Sequence, residues 1–320
     1  MRKISVALAL FILMLFAKAN RPVLFPIKQN NKYGYIDKTG KVVIKPRYHN
    51  AWNFSEGLAG VCVDDRWGFI DKDGHFYIGP TYDWVENFSE GLAKVIKKDK
   101  KYYIDKNGNE IIKSQYQNAG NFYEGLAWVN VGKYYGFINK TGKQVIDAKF
   151  DWAGDFSEWV AVVRVKDKYG FINRLGEYVI KPQFDWAGNF SDSLAVVKYN
   201  DKYGYINKKG KIVIGFKFDD AGDFAENIAR VKSGKLWGYI DKTGKYVINP
   251  QFDWADDFSE GLAVVKLNNK FGYINKQGEI VISPQFDQAL EFQGDIAQVK
   301  INDKWGYINK NGKFVWQPSK

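Results

Sequence analysis

Two histidines, His49 and His75, and one cysteine, Cys62, are all that this 320-residue chain offers of the side chains most used for metal binding or nucleophilic attack. The histidines fall at different positions of the repeat described below, so they form no pair at metal-ligand spacing, and no Ser/His/Asp set stands out. Cys62 sits in Val-Cys-Val, the setting of a small apolar strand residue, and being alone it closes no disulfide within the chain. Carboxylates are plentiful, as at Asp151, Asp155 and Glu158, but they recur from segment to segment whereas an active site is local. Asp71-Lys-Asp-Gly and Asp105-Lys-Asn-Gly-Asn-Glu begin like calcium loops, yet the twelve-residue ligand series and its closing Glu are missing. The expected chemistry is non-covalent binding, with no catalysis, cofactor or metal.

Two rows of side chains suit binding. Trp84, Trp152, Trp186 and Trp254 share one position of the repeat beside an Asp, and such a row of rings could stack on sugars or anchor a protein partner, or else pack between repeats. Lys72, Lys106, Lys140 and Arg174 belong to a cation row that continues through all nine units, while acids such as Asp219, Asp223, Asp253 and Asp257 collect elsewhere. That row could hold an anionic polymer by avidity, or simply solubilise exposed turns.

The elements that position these rows follow from one turn. Asn or Asp, then Lys or Arg, then any residue, then Gly recurs from Asp37–Gly40 to Asn309–Gly312, with neighbouring glycines 34 residues apart in nine uninterrupted copies. An Asx side chain can bond to the backbone two residues on, and a closing Gly accepts the left-handed conformation of a type I turn with a G1 bulge, so the flanking runs read as hairpin arms. A further apolar run such as Leu58-Ala59-Gly60-Val61-Cys62 adds a third strand. Positions in phase with Ile36, Ile44, Ala59 and Val61 keep their residue types from unit to unit and mark the core. The linkers hold an aromatic in phase with Phe184 and a Phe in phase with Phe190, so they are expected to fold back and fill the gap between units, with at most one helical turn.

Tyr33-Gly34, Trp67-Gly68, Trp237-Gly238 and Trp305-Gly306, each followed by Tyr or Phe, Ile, Asp or Asn, and Lys, make the chain resemble the bacterial WG repeat family over nearly its whole mature length. The third unit departs from the pattern with Lys101-Tyr102. The resemblance implies a β-strand repeat frequent in exported bacterial proteins and brings no established catalytic residues. The glycine itself reads as room for a neighbouring aromatic ring over the backbone.

Composition fits this reading, with 45% hydrophobic and 17% aromatic residues and a formal charge of +11. Arg2, Lys3, the apolar run Ile4 to Phe16 and Ala17-Lys18-Ala19 read as a secretory signal over residues 1–19, leaving residues 20–320 as the repeat array with no stable membrane span. Nine units exceed the usual number of propeller blades, and no unit is split between the two chain ends. The sequence therefore predicts an all-β open solenoid of nine three-stranded antiparallel meanders, the alternative being a closed, propeller-like ring. The predicted function is a binding or structural scaffold of the bacterial envelope or exterior, acting between proteins. The alternative is a lectin-like or polyanion-binding module for envelope polysaccharide. An exported chain without a base-reading module has no expected nucleic-acid partner. Periplasm, outer surface and extracellular space all remain open as destinations.

Overall fold

Residues 23–113, 116 and 118–319 are described by the structure, a computed structural model, and the signal reading on residues 1–19 lies outside them. Among the described residues every regular element is a strand. Blade 5 is representative: an inner strand Trp152–Ser157, then Val160–Val165, Lys168–Asn173 and an outer strand Tyr178–Phe184, hydrogen-bonded in that order and antiparallel throughout. The Asx-Gly turn forms as its residues dictate. In blade 1, Asp37 Oδ1 accepts the amides of Thr39 at 2.9 Å and Lys41 at 3.1 Å, and Gly40 stands at φ +87°. The linker is a strand and not a helical turn: Trp-Ala-Gly-Asp-Phe-Ser becomes the inner strand of the following sheet.

Nine such sheets form among the described residues, and they close into a ring, a nine-bladed β-propeller. The buried clusters decide this, because each lies between two adjacent blades. Phe171, Ile180 and Phe184 of blade 5, for instance, pack against Ala187, Phe190, Val197 and Ile206 of blade 6. Nine blades in an open row would have eight such junctions; here a ninth joins Phe25, Ile27 and Ile36 of blade 1 to Ile296 and Tyr307 of blade 9. Tyr307 OH donates to Pro26 O at 2.8 Å, and Lys38 Nζ donates to Asp295 Oδ2 at 2.8 Å, across 281 and 257 residues of sequence. The open solenoid is thus overturned. A strand shared between the chain ends would have marked closure in the sequence, whereas this ring is fastened by side chains. Small Ala and Gly residues on the inner strands against Ile, Tyr and Phe farther out give each blade the taper a ring needs.

The repeat glycine has a different cause from the one expected. In blade 5 the outer strand bulges, so that Tyr169 faces Phe184 while Phe171 faces Ile180, and its backbone crosses close over Gly170. A Cβ there would stand 2.5 Å from Ile180 O and 2.6 Å from Pro182 N. Backbone, not an aromatic ring, occupies the space. Blade 3 carries Tyr102 at that position, and in its outer strand, Glu110–Lys113 among the described residues, Tyr102 pairs with Lys113 and Tyr103 with Ile112 with no bulge between them.

Candidate functional site

The antiparallel order sends the Asx-Gly turns and the connections after the inner strands to one face of the ring, the turn face. On it the cation row is not free. Lys106 Nζ lies 3.1 Å from Glu56 Oε2, Lys140 Nζ 3.0 Å from Glu90 Oε2, and Lys208, Lys276 and Lys310 repeat the pair with Glu158, Glu226 and Glu260, each across a blade junction. Lys72 is engaged as well. The same carboxylates accept backbone amides of the next blade, as Glu90 does from Gly125 at 2.9 Å. Burial pushes the Glu90 carboxyl up, but Lys140 and that amide outweigh it and hold it below the usual range. These cations staple blades together and are poorly placed to collect an anionic polymer.

Arg174 is the exception within the row. Its guanidinium lies over the Trp159 ring, 5.6 Å from the centre. Trp159 occupies a position with φ between +69° and +89°, filled in other blades by Gly57, Gly91, Gly125, Ser193, Asn227, Gly261 and Asp295; it holds φ +74° and donates its amide to Glu124 Oε2 at 2.7 Å. A bulky residue in the left-handed region is strained, and such strain is found disproportionately at binding and catalytic sites. Trp159 is 63% exposed, and Leu175, beside Arg174 in the turn, is 76% exposed.

The other face, the linker face, carries the tryptophan row at the start of the inner strands. Trp84, Trp152 and Trp186 are between 38% and 41% exposed. Each leans on a third-strand aromatic, Trp152 on Tyr169 at 6.1 Å and Trp186 on Tyr203 at 6.0 Å, and Trp254, half-buried, on Phe271 at 5.7 Å. They are part packing and part surface. The fold thus places the two sequence-predicted rows on opposite faces, and they form no common site. Beside the tryptophans, Asp185 accepts Lys168 Nζ of the preceding blade at 2.5 Å and the amide of Asn200 at 2.8 Å, a brace that recurs at Asp219 and Asp287.

Neighbouring inner strands meet around the axis and bring acids together there. Burial, helped by the charges of Asp256, Asp223 and Glu291 and opposed by Arg230, pushes the Asp257 carboxyl up to about 6. Arg230 Nε is 3.0 Å from Asp257 Oδ1 at an angle that misses a hydrogen bond, so both atoms are left unsatisfied, while its Nη1 bonds Ala255 O at 3.0 Å. This is a brace between blades 7 and 8. Elsewhere, Asp71, Asp73 and His75 hold possible ligand atoms within 4.8 Å at an exposed turn, but Asp71 Oδ1 is already committed to the amides of Asp73 and His75.

The profile of the WG containing repeat matches nine consecutive segments, residues 33–67, 67–102, 103–135, 135–169, 169–203, 203–237, 237–271, 271–305 and 305–318. The chain belongs to the WG repeat family. No curated protein gives a significant match. Among solved structures, a eukaryotic initiation factor is 10% identical over 92% of this chain and 95% of its own, with a TM-score of 0.66. The dihydro-heme d1 dehydrogenase NirN is 12% identical over 94% of this chain and 76% of its own, at 0.47, and Hsv2p of Kluyveromyces lactis 8% identical over 79% and 92%, at 0.42. At such identities the first of these bears on the fold alone. Glu-Gly-Leu follows the inner strand in blades 2, 3, 4 and 8, other blades place Ser, Asn or Asp at the middle position, and Glu158-Trp159-Val160 alone places a bulky ring there. That substitution is the sequence signal for the Trp159 patch, and it lies outside the recurring positions that mark the core.

Proposed function

We propose that this WG-repeat ring is an exported, non-enzymatic docking scaffold for a protein partner, engaged on the turn face of blade 5. The observation that carries the reading is Trp159, a large exposed ring kept in a left-handed conformation where the repeat elsewhere uses small residues, with Arg174 over it and Leu175 alongside. Trp and Arg are the side chains that most often dominate binding energy between proteins. The uniformity of the remaining blades supports a scaffold rather than a catalyst, since their polar groups are spent on junctions. Export rests on Arg2, Lys3, the apolar run and Ala17-Lys18-Ala19; N-terminal sequencing should find the mature chain starting at Asn20, and a mature chain that starts at Met1 refutes cleavage.

Trp159→Gly is the decisive variant, because Gly is the residue of blades 2, 3, 4 and 8 at this position. Relief of strain should leave the ring as stable or up to about 1 kcal/mol more stable, while capture of the native envelope partner falls by about thirtyfold or more. Capture of the same partners at unchanged affinity ends the reading. A saccharide-binding role for the half-exposed Trp84, Trp152, Trp186 and Trp254 is the second reading, supported by their shared face; it requires that their replacement by Ala, and not Trp159→Gly, abolish retention on a glycan surface.

A further inference from the structure

Among the described residues seven blades have an inner strand and blade 4 holds its inner segment by the bridges Ala119 to Val129 and Tyr123 to Leu126, whereas blade 1 contains only Phe25–Gln29, Lys32–Ile36 and Val42–Tyr48. At four junctions the chain entering the next blade delivers an acid to a cation of the preceding third strand, and at one of them a ring beside it. Asp185 meets Lys168 at 2.5 Å, Asp219 meets Lys202 at 2.5 Å, Asp287 meets Lys270 at 2.6 Å, and Trp84 lies 5.3 Å from Trp67 of the preceding blade. At the junction of blades 9 and 1 the receiving residues are Lys304 and Trp305, in phase with Lys270 and Phe271. Among the described residues no carboxylate pairs with Lys304, and no ring of blade 1 takes Trp84's place. A cavity of about 660 Å³ stands there, lined by Lys304, Trp305, Tyr33, Trp316, Lys28 and Asn302 among others.

Two features keep this cavity from being a slot for another strand. Phe25 replaces the small Ala found in phase with it and already packs on Tyr307 at 5.8 Å, where an inner-strand Phe packs elsewhere, as Phe190 does on Phe171 at 4.9 Å. Pro26 faces the open edge without an N–H, and its carbonyl already accepts Tyr307 OH. What remains open is the outer part, where an ammonium group, aromatic faces and amide groups converge in a volume suited to a small ligand.

From this geometry we propose that the seam is a binding site for a small organic anion that joins a carboxylate to a flat ring face, with the carboxylate on Lys304 and the ring against Trp305 and Tyr33. Four other junctions supply the template for the charge, Arg66 with Asp83 and Lys168, Lys202 and Lys270 with Asp185, Asp219 and Asp287, and Trp67 against Trp84 supplies it for the ring. Uronic acid saccharides and aryl carboxylates share this chemistry, and the protein partner of blade 5 plays no part in it.

The test titrates the full chain with tri-galacturonate and, separately, with indole-3-acetate, followed by calorimetry. Saturation at one site per chain by either probe is expected, and the tighter one names the source. Lys304→Gln should weaken binding about tenfold, the effect of losing one charge-assisted bond. Lys168→Gln, whose lysine is already paired with Asp185, should leave it unchanged. Trp305→Phe keeps a ring of the kind blade 8 uses, so it should fold and retain most binding, whereas Trp305→Leu should lose it. Failure of both probes to saturate, or equal affinity in Lys304→Gln and the parent chain, overturns the proposal.

Discussion

Blades 3 and 5 are built from the same 34-residue plan and differ at one position that governs the outer strand. Blade 5 has Gly170, and its outer strand runs for seven residues with a bulge that carries it across the third strand. Blade 3 has Tyr102, and in its outer strand, Glu110–Lys113 among the described residues, Tyr102 pairs with Lys113 and Tyr103 with Ile112 with no bulge between them. The glycine is therefore the permit for a backbone crossing, and the bulge, not the Trp beside it, is what the repeat protects.

The largest test of this comparison is to make blade 5 resemble blade 3. Gly170→Tyr should cost about 3 kcal/mol or more in urea unfolding, since the new Cβ meets backbone that cannot give way, and a cost under about 1 kcal/mol breaks the comparison. Ser157→Ala comes next. Ser157 Oγ donates to Phe190 O across the junction at 2.8 Å, and Tyr123 stands in that place in blade 4, so about 1 kcal/mol should separate the variant from the parent. The reverse change, Tyr102→Gly, should stay within about 1 kcal/mol of the parent because glycine's backbone entropy offsets the regained pairing. Its readout is slowed hydrogen exchange at Tyr116, brought opposite Lys101 as Tyr48 is opposite Tyr33 in blade 1. Unchanged exchange there means Tyr102 is not what straightens the strand. Smallest of all, Lys140→Gln should cost about 0.5 kcal/mol or less and less still in high salt, because the pair with Glu90 is half in water. A larger loss would make the ion pairs, not the crossings, the main fastening of the junctions.

What the sequence made legible was local. The Asx-Gly turn, the Ile phases and the number of units follow from short-range chemistry repeated nine times, and Asp37, Ile36 and Ile44 do in the structure what their types predicted. The inner strand was missed because Trp-Ala-Gly-Asp-Phe-Ser alternates too weakly to announce a strand, and it pairs in irregular register, jumping from Ala153 to Phe156. Closure was missed because it depends on contacts such as Tyr307 with Pro26 that no periodicity encodes. The pairing of turn cations was hidden for a related reason. Lys140 and Glu90 are 50 residues apart, which is neither one repeat nor two.

The seam also gives the ring a timetable. Phe25, Ile27 and Ile36 leave the ribosome well ahead of their cover, Ile296 and Tyr307. At about 5–20 residues per second, synthesis of the intervening 281 residues occupies roughly 15–55 s, during which blade 1 has one neighbour and a bare apolar flank. Every other junction can form as soon as the next repeat emerges. The chain therefore spends its youth as an incomplete arc with a sticky leading edge, and a holding chaperone that clasps residues 25–36 until Tyr307 arrives would shield that edge while the arc is still open.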